Sequence, residues 1–160
     1  MIVRLVRPED HSTIHEVVAA AFGRADEAEM VEAVRAGGRV LTELVAEDQG
    51  AIVGHVLFSR MSSQPPSLFA GLAPLAVAPM AQSRGFGGAL VRQGLDACRN
   101  LGVAGCVVLG SPAYYGRFGF QRAPATIDCR FSPLDAFQAL EFTVGAFTTP
   151  VSLAYPPAFD

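Results

Sequence analysis

Three features of this 160-residue sequence predict a single-domain α+β fold, with a mixed, largely antiparallel central sheet flanked by helices. Short apolar runs alternate with segments of helical period, in the order β α α β β β α β α β β. The polar turn Glu47-Asp48-Gln49-Gly50 joins two strands as a hairpin. No internal repeat and no long linker divides the chain, so residues 1–160 are expected to form one domain.

Taken in order, Ile2 to Val6 alternates around Arg4 and reads as the first strand. Asp10 stands where an N-cap is wanted, and Ile14, Val17, Val18, Ala21 and Phe22 recur at helical spacing over residues 11–22. A second helix over 26–36 carries Met30, Val31 and Val34 on its apolar side and ends at Gly37-Gly38. Residues 41–46 and 51–60 are the hairpin strands, with Gly50 free to take a left-handed turn position. Residues 62–67 form a Pro/Ser loop, and Leu72 to Val77 is an apolar strand stopped by Ala78-Pro79. A helix over 85–100 includes Ala89, Leu90, Leu95 and Ala97, and Gly102 terminates it. Val103 to Leu109 is a buried strand, and Pro112 to Phe118 a short helix. The last strands are 137–142 and 151–155, closed by Pro156-Pro157.

Composition removes several functions. Hydrophobic residues make up 51% and charged residues 17%, the reverse of a disordered chain, and a broad apolar surface could serve a homodimer contact. A net charge of −3 with no basic run argues against nucleic acid. All twelve cations are arginines, so neither a lysine-bearing P-loop nor a Schiff-base lysine can exist here. Cys98, Cys106 and Cys129 are odd in number and lack the C-x-x-C spacing of a zinc site or redox pair. No signal-peptide core and no apolar run of membrane-spanning length is present, which makes the cytoplasm the expected location.

The segment Gln82-Ser83-Arg84-Gly85-Phe86-Gly87-Gly88-Ala89 lies between a strand and a helix. Its glycines let backbone approach a ligand, the first N–H groups of the helix carry partial positive charge, and Arg84 adds a full one. A diphosphate suits such a place, although a tight turn without ligand would look the same. The Rossmann spacing fails, because the third glycine would fall at Leu90 and the preceding strands are antiparallel.

Gln82-Ser83-Arg84-Gly85-Phe86-Gly87 resembles Q/R-x-x-G-x-G/A, the pyrophosphate-binding signature of the GNAT-type N-acetyltransferases. Tyr115-Gly116-Arg117-Phe118-Gly119-Phe120 resembles the same superfamily's Y-x-x-hydrophobic-G-F segment. Gly110 to Phe120 and the ending Tyr155 to Phe159 are similar to a bacterial subgroup of predicted acetyltransferases. The resemblance implies acetyl-CoA as cosubstrate, no metal, and direct attack by a primary amine, either a small molecule or a peptide N-terminus. It assigns pantetheine and thioester contacts to the backbone of Leu75, Ala76 and Val77. It assigns the pyrophosphate to Gln82, Arg84, Gly85, Phe86, Gly87, Gly88 and Ala89, and the proton donor for the leaving thiolate to Tyr115.

The proton acceptor is less defined. Relatives place a glutamate on the strand before the loop, and Leu72 to Val77 has no acid. His55, Glu43, Glu141 and water all stay open. Asp26, Glu27, Glu29 and Glu32 make an acidic cluster where relatives build an acceptor groove, or simply a solvated helix face. His11 and His15 share a helix face, yet no third metal ligand is near. The missing glutamate also leaves room for a non-catalytic acyl-CoA-binding module or sensor.

Overall fold

A computed structural model describes all residues, 1 to 160. Its strands are β1 (Ile2–Leu5), β2 (Val40–Asp48), β3 (Ala51–Arg60), β4 (Ser62–Gln64), β5 (Phe69–Val77), β6 (Gly105–Leu109), β7 (Gln121–Arg122), β8 (Ile127–Asp128), β9 (Phe137–Glu141) and β10 (Val151–Ala154). Its helices are α1 (His11–Phe22), α2 (Asp26–Ala36), α3 (Phe86–Asn100) and α4 (Pro112–Tyr115). The main sheet runs β1-β2-β3-β5-β6-β9-β7, antiparallel throughout except at β5–β6. This is the α+β sheet expected from the sequence.

Alternation along the central strands assigns each helix its face. Leu44, Ala46, Val56 and Phe58 point toward α3 and share a core with its Leu90, Val91, Leu95 and Cys98. Val45 and Ala76 point the other way and pack with Ile14 and Val18 of α1 and Ala28 of α2. Leu57 packs on that same side against Val31 and Val34 of α2. The β2–β3 hairpin turns on Gln49 (φ 51°) and Gly50 (φ 80°), two successive left-handed residues of the kind that match strand twist.

Several boundaries differ from expectation, each for a local reason. The segment 62–67 is not all loop, because Ser62–Gln64 pairs with β10 in a second, three-stranded sheet ordered β4-β10-β8. A three-residue polar strand has no periodicity to read. β7 and β8, at two residues each, are shorter still. β5 begins at Phe69 and β6 at Gly105, where the parallel pairing starts. The helix after Pro112 ends at Tyr115 and continues as a 3₁₀ turn over Gly116–Phe118. Asp10 caps no α1 amide with its side chain. Its carboxylate accepts from the Arg7 N–H at 2.7 Å and from the Arg4 guanidinium at 2.8 Å, tying the start of α1 to β1.

Candidate active site

A bulge and a parting of strands open the site. Between the pairs Val56↔Leu75 and Phe58↔Leu72, β5 takes three steps where β3 takes two. The extra residue lies at Ala73-Pro74, and proline has no N–H for a ladder. The bulge reverses side-chain parity, so Leu75 and Val77 face the same side as Ala70 and Leu72. Beyond Phe69–Gly71, paired with Gly105–Val107, β5 and β6 separate. A wedge is left between Leu72–Val77 and the end of β6.

At the wide end lies a cleft of about 570 Å³, lined by Leu75 and Val77 on one side and by the glycine loop on the other. Gly85 is the N-cap of α3 at φ 90°, a value that disfavours any residue with a Cβ. None of the N–H groups from Ser83 to Gly88 donates to a backbone carbonyl, and no side chain caps the helix. Such a run at a helix N-terminus is a concave donor set for an oxyanion. The first engaged amide is that of Ala89, which donates to Gly85 O at 3.1 Å.

The structure brings most of the expected cofactor residues together. Leu75, Val77, Gln82, Gly85, Phe86, Gly87 and Gly88 line the cleft. Gln82 anchors the loop by donating Nε2–H to Val77 O at 3.1 Å. Three of the expected residues do not line the cleft with their side chains, although the Ala76 backbone stays on the unpaired edge of β5. The Ala76 side chain packs under α1, and Ala89 has its N–H committed to the helix. The Arg84 guanidinium lies outside the cleft lining, 2.9 Å from Asp48 at the β2–β3 turn. Two other cations line the cleft in its stead. Arg92 stacks on Phe118 with its guanidinium 5.1 Å from the ring centre, and Arg117 stacks on Tyr114 at 4.4 Å. Arg92 was legible in principle, since it is one turn after Gly88 on the same helix face; Arg117 depends on the fold of the α4 segment.

A second cavity of about 320 Å³ shares Leu75 with the first as a wall residue. Tyr115 lines it, together with Phe22, Met30, Leu109 and Glu27. Tyr114 instead lines the first cleft. Gly110 makes the seat for Tyr115: a Cβ there would stand 2.5 Å from the Tyr115 ring. Burial pushes the Tyr115 hydroxyl up to about 12, with Tyr114 and Cys106 nearby adding to it, so the group stays protonated through the neutral range.

The candidates for a proton acceptor are not gathered there. His55 is wholly buried, and its Nε2 lies 2.7 Å from Glu43. Arg35 of α2 holds the same carboxylate at 2.5 Å. Burial alone would raise the Glu43 carboxyl, but these two donors outweigh it and hold it well below the usual range. Burial depresses His55, which therefore stands as a neutral ring donating to Glu43. This network pins α2 to the sheet and lines neither cavity. Glu141 accepts from the N–H groups of Gly145 and Phe147, closing the turn after β9. Of the acidic cluster, Glu27 lines the second cavity and Asp26 and Glu29 are exposed, while Glu32 pairs with His15 at 2.6 Å.

Both sequence and fold match known proteins. The sequence profile of the acetyltransferase (GNAT) family matches residues 11–120. The chain is 38% identical over 125 residues to the uncharacterised N-acetyltransferase YhbS of Escherichia coli K12, covering 77% of this chain and 75% of the relative. The crystal structure of Escherichia coli YhbS in complex with CoA superposes with a TM-score of 0.90 at 34% identity, over 99% of this chain and 91% of that one. A GNAT family acetyltransferase from Brucella melitensis in complex with acetyl-CoA gives a TM-score of 0.85 at 36% identity, over 99% and 97% of the two chains. The chain belongs to the GNAT acetyltransferase family.

Proposed function

We propose that the chain, acting as one domain over residues 1–160, transfers acetyl from acetyl-CoA directly to a primary amine. The observation that carries this reading is a pair of cavities that share Leu75 as a wall residue, one lined by the loop with unpaired amides and the other by the Tyr115 ring. The CoA pyrophosphate would sit on the amides of Ser83 to Gly88, neutralised by Arg92 and Arg117. Pantetheine would run along the open edge of β5, where backbone at Leu75 to Val77 lacks a partner on the β6 side. The thioester oxygen would take an amide from that edge as charge develops.

The amine attacks the thioester carbon, the C–S bond breaks, and the thiolate leaves toward Tyr115. An arriving ammonium must first lose one proton. With His55, Glu43 and Glu141 committed elsewhere, that proton passes to water. The three cysteines are buried and unpaired, in keeping with a reducing cytoplasm where acetyl-CoA is made. No helix is long and apolar enough to cross a membrane.

The test is acetyl-CoA binding by calorimetry, followed by release of free CoA thiol across a panel of amines, amino acids and peptides. Binding with amine-dependent release supports the proposal. Binding without release would favour an acyl-CoA sensor, and absence of binding would remove both readings.

A further inference from the structure

The second cavity carries information on the acceptor. Its lining is apolar or aromatic throughout, with Glu27 as the only charged residue. Phe22 and Met30 come from α1 and α2, Phe131 from the turn before β9, and Phe159 from the 3₁₀ turn after β10. Tyr115 lines it as well, with its ring 5.0 Å from that of Tyr114, which lines the acetyl-CoA cleft. At about 320 Å³ it is at the small end of ligand sites, which run from about 300 to 1,000 Å³.

Three consequences follow for whatever binds there. A carboxylate would find no free cation: Arg24 is held by Glu27, and Arg130, which stacks on Phe131, is held by Asp160 and the Phe159 carbonyl, so lost hydration would go uncompensated. A second ammonium, as in a polyamine, would meet aromatic rings and only one carboxylate. An extended peptide would need partners for its backbone amides, and apart from the β5 edge given over to the thioester the lining offers only Glu27 and tyrosine hydroxyls. A single ammonium on an apolar or aromatic body meets none of these costs. Its charge is attracted by Glu27 and by ring faces, and its body removes apolar surface from water.

Glu27 is suited to hold such a charge. Its side chain is 15% exposed, and Arg24 binds both carboxylate oxygens from the solvent side, at 2.9 and 2.5 Å. The Arg24 guanidinium is 60% exposed, so its charge is the better screened of the pair. Each carboxylate oxygen keeps a second lone pair. The contact with Arg24 holds Glu27 below the usual carboxylate range, which makes it a fixed anion and a poor proton acceptor.

We infer that the acceptor is a small monocationic amine with an apolar or aromatic body and no carboxylate, oriented by Glu27 with its nitrogen toward Tyr115. This rests on the acetyl-transfer reading. In the step, the ammonium gives one proton to water, nitrogen bonds to the acetyl carbon as the C–S bond breaks, and the second proton lost by nitrogen balances the one the sulfur takes to depart as thiol. The products are the N-acetyl amine and CoA.

The test compares 2-phenylethylamine, phenylalanine, spermidine and a short peptide as acceptors for the full chain. Direct binding of 2-phenylethylamine to the CoA-loaded protein is measured by calorimetry. The expected order places 2-phenylethylamine at least about tenfold above the other three in kcat/KM. Glu27→Gln should raise KM for the amine by about 10- to 100-fold and leave KM for acetyl-CoA unchanged. Met30→Arg should narrow the gap between 2-phenylethylamine and phenylalanine by supplying the missing cation. Preference for phenylalanine, spermidine or the peptide overturns the inference while leaving acetyl transfer intact. If no amine is turned over, acetyl transfer fails, and the calorimetry still decides whether the cavity takes the apolar amine. No binding there overturns the inference as well.

Discussion

Removing one oxygen atom, by Tyr115→Phe, isolates the role of the hydroxyl in the wall of the second cavity. Its hydroxyl is pushed up to about 12, against about 8.5 for an ordinary thiol. Full proton transfer to an unperturbed thiolate would then be uphill by about 5 kcal/mol, taking about 1.4 kcal/mol per pKa unit. The same dry surroundings raise the thiolate too, so the gap narrows without closing. Tyr115 is therefore expected to act first as a hydrogen-bond donor to the departing sulfur, with the proton following as charge builds. A hydrogen bond to a charged group contributes about 1.5–3 kcal/mol, or about a 10- to 150-fold loss of kcat on removal. Because the bond forms only as sulfur leaves, KM for acetyl-CoA should stay within about twofold. The assay is continuous detection of CoA thiol at saturating amine, with Tyr114→Phe in parallel as the neighbouring hydroxyl. Burial keeps Tyr115 protonated well past neutrality, so its ionisation should add no falling limb to wild-type kcat between about pH 7 and 9. Undiminished kcat in Tyr115→Phe, or a larger loss in Tyr114→Phe, would refute the assignment.

Three further outcomes follow from particular contacts. Arg92→Ala should weaken acetyl-CoA binding by about 10- to 100-fold in calorimetry, whereas Arg84→Ala, an exposed partner of Asp48, should change it by less than about threefold; the opposite order would mean that Arg84 swings into the cleft. Gly85→Ala places a Cβ at φ 90°, so it should lower stability by about 1–2 kcal/mol in denaturant titration and loosen the amide nest, raising KM for acetyl-CoA. His55 is depressed from 6.5 in the fold, so below pH 6.5 the unfolded chain takes up a proton that the folded chain refuses. Stability should therefore fall as pH drops through that value, and more steeply below 4.5, where Glu43 adds its own loss. His55→Asn should flatten the upper part of that slope, and a wild-type curve already flat between pH 5 and 6.5 would contradict a neutral buried ring.

The sequence carried the sheet and the long helices because their apolar periodicity spans many residues, as in α1 with Ile14, Val17 and Val18. It did not carry the three-stranded sheet, whose register depends on β10 returning to Ser62–Gln64 across most of the chain. The glycine loop was legible for a chemical reason: unpaired amides need residues without Cβ. The Arg84 assignment rested on adjacency in sequence, yet the guanidinium turns toward Asp48, a partner 36 residues away. Arg117 could not be found that way, because its place depends on how α4 and the following turn pack. The bulge at Ala73-Pro74 is the deepest gap. Proline marks the position, but only pairing with β3 reveals that Leu75 and Val77 change faces.

Direct transfer within one complex is the central claim, and initial-rate kinetics with both substrates varied tests it most directly. With the full chain, acetyl-CoA and 2-phenylethylamine or whichever amine the panel selects, double-reciprocal plots should give intersecting lines. No thiol should be released from acetyl-CoA before amine is added, and the N-acetylated amine should appear in equal amount to free CoA. Parallel lines, or a burst of CoA with acetyl left on the protein, would contradict direct attack and require an acyl-enzyme.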